Sequence, residues 1–459
     1  MKNVVGIIVA LSCCVSAFAR PSPSPALMKR LVEGPEVIGI VHWGLNTYAD
    51  REWGYGDEDP ALLNPAKFDA DQIVGACKAG GIGGLVVVAK HHDGFCLWPT
   101  KTTDHNVTKS PFGRDYVKEM EQACRRHGLK FGVYISPWDR NNANYATERY
   151  VEIYHAQIKE ILGGDYGEIF EMWFDGANGG DGYYGGTKEK RRIGKDYYRF
   201  DEVFSFVRKM QPGVAIFAGS RDDSDFRFPG NERGILDPDS RATVCTVGGF
   251  ADGKYGNPAY NTQNNTGSSD GEFFRVCEAD FPLRRGWFYH EKERGTTKSA
   301  AYLAKLYLSS VGNGGTMNIG IAPNKDGRLD VDDMKALSGF KVLTDAIFAH
   351  EAKMRETFNV VVMCEDVSNG EQVDEWELVA DGKAVLRGKS IGWKRIRLLE
   401  TPCAAKNVDL KILKDGGALK GVSFKLYNAG PELVKTILSA TGDDRETDTA
   451  KWMMKAASE

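Results

Sequence analysis

The chain has 459 residues, 42% hydrophobic and 27% charged, with 59 Lys plus Arg against 63 Asp plus Glu. At roughly 100–200 residues per domain this is a chain of two to four domains, apolar enough for large cores, which excludes wholesale disorder. A net charge of −4 excludes an electrostatic case for nucleic acid as a main partner.

The N-terminus reads as an address. Lys2 precedes an apolar run, Val4 to Val15, and then Ala17-Phe18-Ala19, the basic, apolar, small-x-small order of a secretory signal peptide. Cleavage after Ala19 starts the mature protein at Arg20 and sends it to the periplasm or the exterior. A surface form lipid-anchored through Cys13 or Cys14 is the weaker expectation, because the residues before either cysteine make a poor lipid-attachment box. The apolar run is too short for a comfortable span, and no later segment approaches about 18 uninterrupted apolar residues, so no transmembrane span is expected.

After Pro21–Pro25, strand-like and helix-like segments alternate. Val37–His42, Gly84–Lys90, Lys130–Ser136, Ile169–Asp175 and Gly213–Gly219 read as strands, with Ala70–Ala79, Asp115–His127, Tyr145–Leu162 and Tyr197–Met210 as the helices between them. Further strands are expected near Phe226–Pro229, Trp287–His290 and Thr316–Ala322, with a helix at Lys298–Ser310. Apolar strands separated by amphipathic helices indicate a parallel sheet covered by helices. About eight of them over roughly 310 residues suit a (β/α)₈ barrel; a doubly wound open sheet is the alternative, but no Gly-x-Gly-x-x-Gly follows the first strand. From Thr357 to about Tyr427 the segments become short and alternating, broken by Gly and Asn/Asp, as in an antiparallel β-sandwich. The expected layout is a signal peptide over 1–19, a barrel unit over 20–345, a sandwich over 346–440 and a charged tail over 441–459. The sandwich is expected chiefly to cover apolar barrel surface. Outside the signal, seven scattered cysteines with no C-x-x-C spacing suggest buried free thiols, neither a disulfide framework nor a zinc site.

A barrel of this kind carries its site at the C-terminal ends of its strands, and unusual residues collect there. The first strand ends in His42-Trp43-Gly44, with Arg51-Glu52-Trp53-Gly54 beyond; the second in Lys90-His91-His92-Asp93-Gly94; the third reaches Tyr134; the fourth ends Trp173-Phe174-Asp175-Gly176. Asp175, at the tip of an apolar strand, is poorly solvated unless it faces a cleft. His91-His92 invites a metal reading, but adjacent strand residues point to opposite faces and the spacing matches no metal motif. Hydrogen bonding to a polyhydroxylated ligand fits better, since a neutral imidazole offers one donor and one acceptor. No metal and no cofactor is expected.

The runs HWG, REWG, AKHHDGFCLWPTKTTDHNV, ACRRHGLKFGVYISPWDR, FEMWFDGANG, GNERG, GWFYHE and NGGTMNIGIAPNKDGRL together resemble the family 29 α-L-fucosidases, and more narrowly the branch that prefers α-1,3/4-linked fucose. The resemblance implies an exo-acting retaining glycosidase whose partner is a fucosylated oligosaccharide or glycoconjugate. It assigns the nucleophile to Asp175 and the acid/base to Glu232, with Glu278 as the competing acid/base. It places fucose-pocket residues at His42, Glu52, Trp53, His91, His92, Tyr134 and Trp173. Such cleavage needs one ionised and one protonated carboxyl flanking the anomeric carbon. A glycosidase for another terminal sugar, a non-catalytic carbohydrate-binding barrel, and a metal-dependent hydrolase using His91 and His92 are the alternatives.

Overall fold

The segment GLVVVAK, Gly84–Lys90, is apolar at every position but its last, and the whole strand is buried. Seven further segments join it in a closed parallel barrel whose spatial order follows the chain. The strands are β1 (Val37–Val41), β2 (Gly84–Lys90), β3 (Lys130–Ile135), β4 (Glu171–Phe174), β5 (Ala215–Ala218), β6 (Phe226–Arg227), β7 (Val276–Pro282) and β8 (Thr316–Ile321). β8 closes on β1 with Met317 opposite Val37. This computed structural model describes residues 19–442 apart from 177–182, 185–188, 192, 195, 219–222 and 246–263. The expected signal run before Ala19 and the tail from Asp443 lie outside the described residues.

Helices pack around the barrel: α1 (Pro25–Glu33), α2 (Ala70–Ala79), α3 (Tyr116–His127), α4 (Glu148–Leu162), α5 (Phe200–Met210), α6 (Ala300–Ser310) and α7 (Val331–Ile347). Four of these starts, those of α1, α2, α3 and α6, carry a side-chain cap: Asp69, for example, accepts from Gln72 N–H at 3.0 Å and Asp115 from Lys118 N–H at 2.9 Å. Side chains alternate along each strand. One set packs outward under the helices, while Ile38, Ile40, Val86, Val88, Tyr134, Trp173, Phe217 and Phe226 fill the lumen.

One expectation needs correction. Trp287–His290 is not a strand; the seventh strand is Val276–Pro282, and Trp287 lies in the loop beyond it. The sixth strand keeps only two residues, joined to β5 by a single register pair, Phe217 opposite Phe226. There the Asp225 carboxylate substitutes for the missing ladder by accepting from Ile216 N–H at 2.8 Å. The helix Val331–Ile347 was not anticipated. The cysteines among the described residues are all free; Cys77, Cys96, Cys124 and Cys277 are buried, and Cys245, Cys364 and Cys403 are half-buried.

Beyond α7, β9 (Thr357–Glu365) is flanked by β12 (Arg395–Ala404) and β14 (Val422–Tyr427), and β10 (Val373–Ala380) by β11 (Lys383–Gly388) and β13 (Val408–Asp415). These two antiparallel sheets enclose a core that includes Phe358, Val361, Trp376, Leu378 and Leu410. They also grip the β6–β7 connection. Arg395 donates to Pro238 O at 2.8 Å and Ser240 O at 2.7 Å, and Glu371 accepts from Ala242 N–H at 2.7 Å.

The N-terminal mouth of the barrel is stoppered by α1. Arg30 Nε donates to Glu171 Oε2 at 3.0 Å, and both side chains are almost completely buried. Burial, then the charge of Glu278, holds the Glu171 carboxyl well above the usual range, with Arg30 acting in the opposite direction. Removing one member of such a pair strands the other. With the carboxyl held toward its neutral form, Arg30→Met leaves it without its donor and is expected to cost roughly 1–3 kcal/mol of stability, read from the urea midpoint.

Candidate active site

The second strand begins the site. The β2–β3 register slips between Val88 and Lys90, the kind of irregularity that re-aims side chains. The Lys90 ammonium enters a buried network, donating to Gln157 Oε1 at 2.8 Å and Tyr150 OH at 3.1 Å, with Asp139 Oδ2 at 3.5 Å. The strand stops at Lys90, so His91 and His92 lie in the turn that follows. The expectation that they face opposite ways does not hold. Their ring centroids are 4.2 Å apart; His91 stacks on Tyr134 at 5.7 Å and meets His42 edge-on at 5.7 Å.

Burial, above all, lowers the histidine pKa values: His42 to about 3, His92 to about 4, and His91 well below its usual value. All three rings are therefore neutral, and their tautomers follow from the hydrogen-bond network. Ser136 Oγ donates to Trp138 O at 2.9 Å, so it accepts from His92 Nδ1–H at 2.7 Å, leaving His92 Nε2 as an acceptor. Asn46 Nδ2 donates toward His91 Nδ1 at 3.3 Å, leaving His91 Nε2–H as a donor. The pair thus presents one donor and one acceptor.

Asp175 follows β4 directly. Its Oδ2 accepts from Tyr134 OH at 2.8 Å and lies 3.7 Å from His92 Nε2, with the side chain 25% exposed. Burial, then the charge of Asp175, pushes the Tyr134 hydroxyl far up, so it is held as a donor. Trp173 stacks on Phe217 at 3.7 Å and on Tyr134 at 5.6 Å. Trp53 stands edge-on to His92 at 5.3 Å and to Trp138 at 5.5 Å. His42, Trp53, His91, His92, Tyr134, Trp173 and Asp175 are accordingly brought together.

Three acidic positions are placed differently. Glu52 spends its carboxylate on the loop after β7, accepting from Trp287 N–H at 2.9 Å and Phe288 N–H at 3.2 Å. Glu278 points into the lumen with no exposure, accepting from Trp173 Nε1–H and Asn318 Nδ2–H, each at 2.8 Å. Glu232 lies half-buried in the loop after β6. That loop is shaped by Asn231, which accepts from Arg233 N–H at 3.1 Å, and by Gly234 at φ +70°, where a Cβ would stand 2.4 Å from Phe281.

Asp280 was missed by the sequence reading. Two residues beyond Glu278 on β7, it shares the inward face and is buried, and its Oδ1 has no hydrogen-bond partner among the described residues. Burial, then the charges of Glu232 and Glu278 and, more weakly, Asp175, holds its carboxyl well above the usual range. Glu232 and Asp175 therefore lie within electrostatic reach of one buried group. Among the described residues no cluster of His, Cys, Asp and Glu could hold a metal ion, and no helix is long and apolar enough to cross a membrane.

The alpha-L-fucosidase family profile matches residues 28–341. The chain belongs to the alpha-L-fucosidase family. Alpha-L-fucosidase 1 of Arabidopsis thaliana is 34% identical over 326 residues, 70% of this chain and 60% of that one. A rice homologue (Oryza sativa subsp. japonica) is 34% identical over 363 residues, 75% of this chain and 65% of that one. The chain thus spans less than two thirds of the length of these plant family members. Among solved structures, a glycoside hydrolase 29 family member from an unknown rumen bacterium superposes with a TM-score of 0.81 at 31% identity, covering 94% of this chain and 80% of that one.

Tyr134 OH is the donor that holds the Asp175 carboxylate at the barrel rim. Hydrogen bonds to charged groups contribute about 1.5–3 kcal/mol. Tyr134→Phe is expected to lower kcat by roughly 10- to 100-fold without altering the fold, checked by steady-state kinetics beside a circular-dichroism melt.

Proposed function

We propose that this chain is a retaining exo-α-L-fucosidase that releases terminal α-1,3/4-linked L-fucose from branched glycans. The observation that carries the reading is the Asp175 carboxylate, oriented by Tyr134 at the C-terminal rim of the barrel beside neutral histidines and Trp173. Asp175 attacks C1 as the glycosidic bond breaks, and Glu232 gives its proton to the leaving oxygen. A water deprotonated by Glu232 then opens the covalent glycosyl-enzyme. The two carboxyl groups are expected to lie about 5–5.5 Å apart. His91 and His92 address sugar hydroxyls as donor and acceptor, Trp53 and Trp173 cover apolar faces, and His42 completes the wall. Glu278, enclosed beneath Trp173, supports the lumen, which favours Glu232 for the proton transfer.

The order of residues 2–19 supports export to the periplasm or the exterior, with cleavage after Ala19. Incubation with an aryl α-L-fucoside and with Lewis-type and blood-group oligosaccharides tests the reading. Release of L-fucose first seen as the α-anomer by proton NMR is expected. Release of the β-anomer, or of no fucose from any substrate, would overturn it.

A further inference from the structure

His290 is a buried residue that no step above uses, yet it sits between two carboxylates. Its Nδ1 is 2.6 Å from Asp50 Oδ1, and its Nε2 is 2.6 Å from Glu52 Oε1. Carboxylate oxygens only accept, so both ring nitrogens must donate and the ring is an imidazolium. Glu52 hands the grip on, since its two oxygens also receive the backbone N–H groups of Trp287 and Phe288. The approach is so close that a Cβ on Gly286 would stand 2.3 Å from Glu52 Oε1. The two aromatic rings then meet the pocket. Trp287 lies 5.2 Å and Phe288 5.3 Å from His42, and Phe288 lies 5.0 Å from His91.

We propose that His290 is a positioning residue, a charged latch that holds Glu52 against the loop after β7 and keeps the Trp287–Phe288 wall closed on the sugar pocket. The inference rests on the fucosidase reading of that pocket. In sequence the latch joins residues 240 positions apart.

The groups facing the ring are Asp50 and Glu52 from the loop after β1 and Glu293 from the turn after His290; Asp50 in turn faces Lys292 and Lys325. Burial works against the charged ring, but hydrogen bonds and charge from Glu52 and Asp50, with Glu293 beyond, outweigh it and raise His290 from the usual 6.5 to about 9. The sign follows from linkage. A folded value above the unfolded one makes the latch whole below about 6.5 and lost as pH rises through about 9. A neutral ring has one N–H for two carboxylates, so one of them is left without its donor.

The test compares wild type, Asp50→Asn and His290→Gln on an aryl α-L-fucoside across pH, alongside nitrogen-15 NMR titration of the His290 ring. Asp50 is half-exposed at φ 56°, a left-handed position that Asn tolerates, so the comparison does not depend on whether His290→Gln folds. Wild type is expected to lose kcat/KM above about pH 9 through rising KM, with kcat nearly level. In Asp50→Asn the loss of one partner charge should move both this limb and the ring's midpoint down by about one pH unit or more. His290→Gln should abolish the limb and raise KM about tenfold at pH 7. A ring midpoint near 6.5 in wild type, or a midpoint that moves in Asp50→Asn while KM does not follow, overturns the latch. A wild type with no activity on any fucoside rejects the fucosidase reading instead, and the ring's titration still decides whether the charged clamp exists.

Discussion

Asp175→Asn is expected to fold, to bind fucose, and to lose turnover by a factor on the order of 10⁴ or more. The amide is isosteric and still accepts from Tyr134 OH, so the pocket's geometry survives. An amide oxygen, however, cannot form the ester-linked intermediate, and it cannot neutralise the oxocarbenium-like charge that develops at C1. The loss should therefore fall on kcat, with the affinity for free fucose changed little. Calorimetric titration of fucose beside single-turnover kinetics separates the two. Near-normal kcat in a correctly folded Asp175→Asn protein would remove the nucleophile from its assigned place.

Glu232→Gln is expected to behave differently with different leaving groups. General acid catalysis contributes about 10²–10⁴-fold, and a sugar alcoholate departing from a natural glycan needs all of it. An aryl leaving group with a low pKa needs little protonation, so the first step on aryl fucosides should be nearly preserved. The second step should slow, because water has lost its base. The signature is a large loss on oligosaccharides, a small one on activated substrates, and a burst of released phenol before a slow steady state. The same leaving-group dependence in Glu278→Gln, with none in Glu232→Gln, would transfer the role, although Glu278 is fully enclosed.

The legibility of the sequence followed the chemistry of the lumen. Where the barrel strands carry apolar residues on both faces, as in GLVVVAK, their positions could be read directly. β7 was hidden because its inward face bears Glu278 and Asp280, so VCEADFP looks like a loop while the apolar GWFYH beyond it imitates a strand. β6 was faint because Asp225 replaces part of its ladder, a side-chain substitution that leaves no periodicity. Among the candidate residues, those at strand ends converged because the architecture fixes where strand ends go. Glu52 was read as pointing at a ligand, and its carboxylate also accepts from the loop after β7, a strand two places from β1 around the closed barrel. That contact depends on a fold-back between residues far apart in the chain, for which local spacing gives no signal. Asp280 did have a signal: two acids two positions apart on one strand share a face, and the Glu-Ala-Asp spacing was present once the strand was recognised.

The hold of the C-terminal sheets on Pro238, Ser240 and Ala242 limits how this molecule can be rearranged. The segment they grip begins a few residues after Glu232, on the same connection. Severing the chain ahead of β9 would free that connection at its far anchor and uncover the barrel core against which Val360, Val367 and Ile396 pack. A chimaera that exchanges the loop after β6 between related proteins would accordingly have to transplant the counterpart of Arg395 as well.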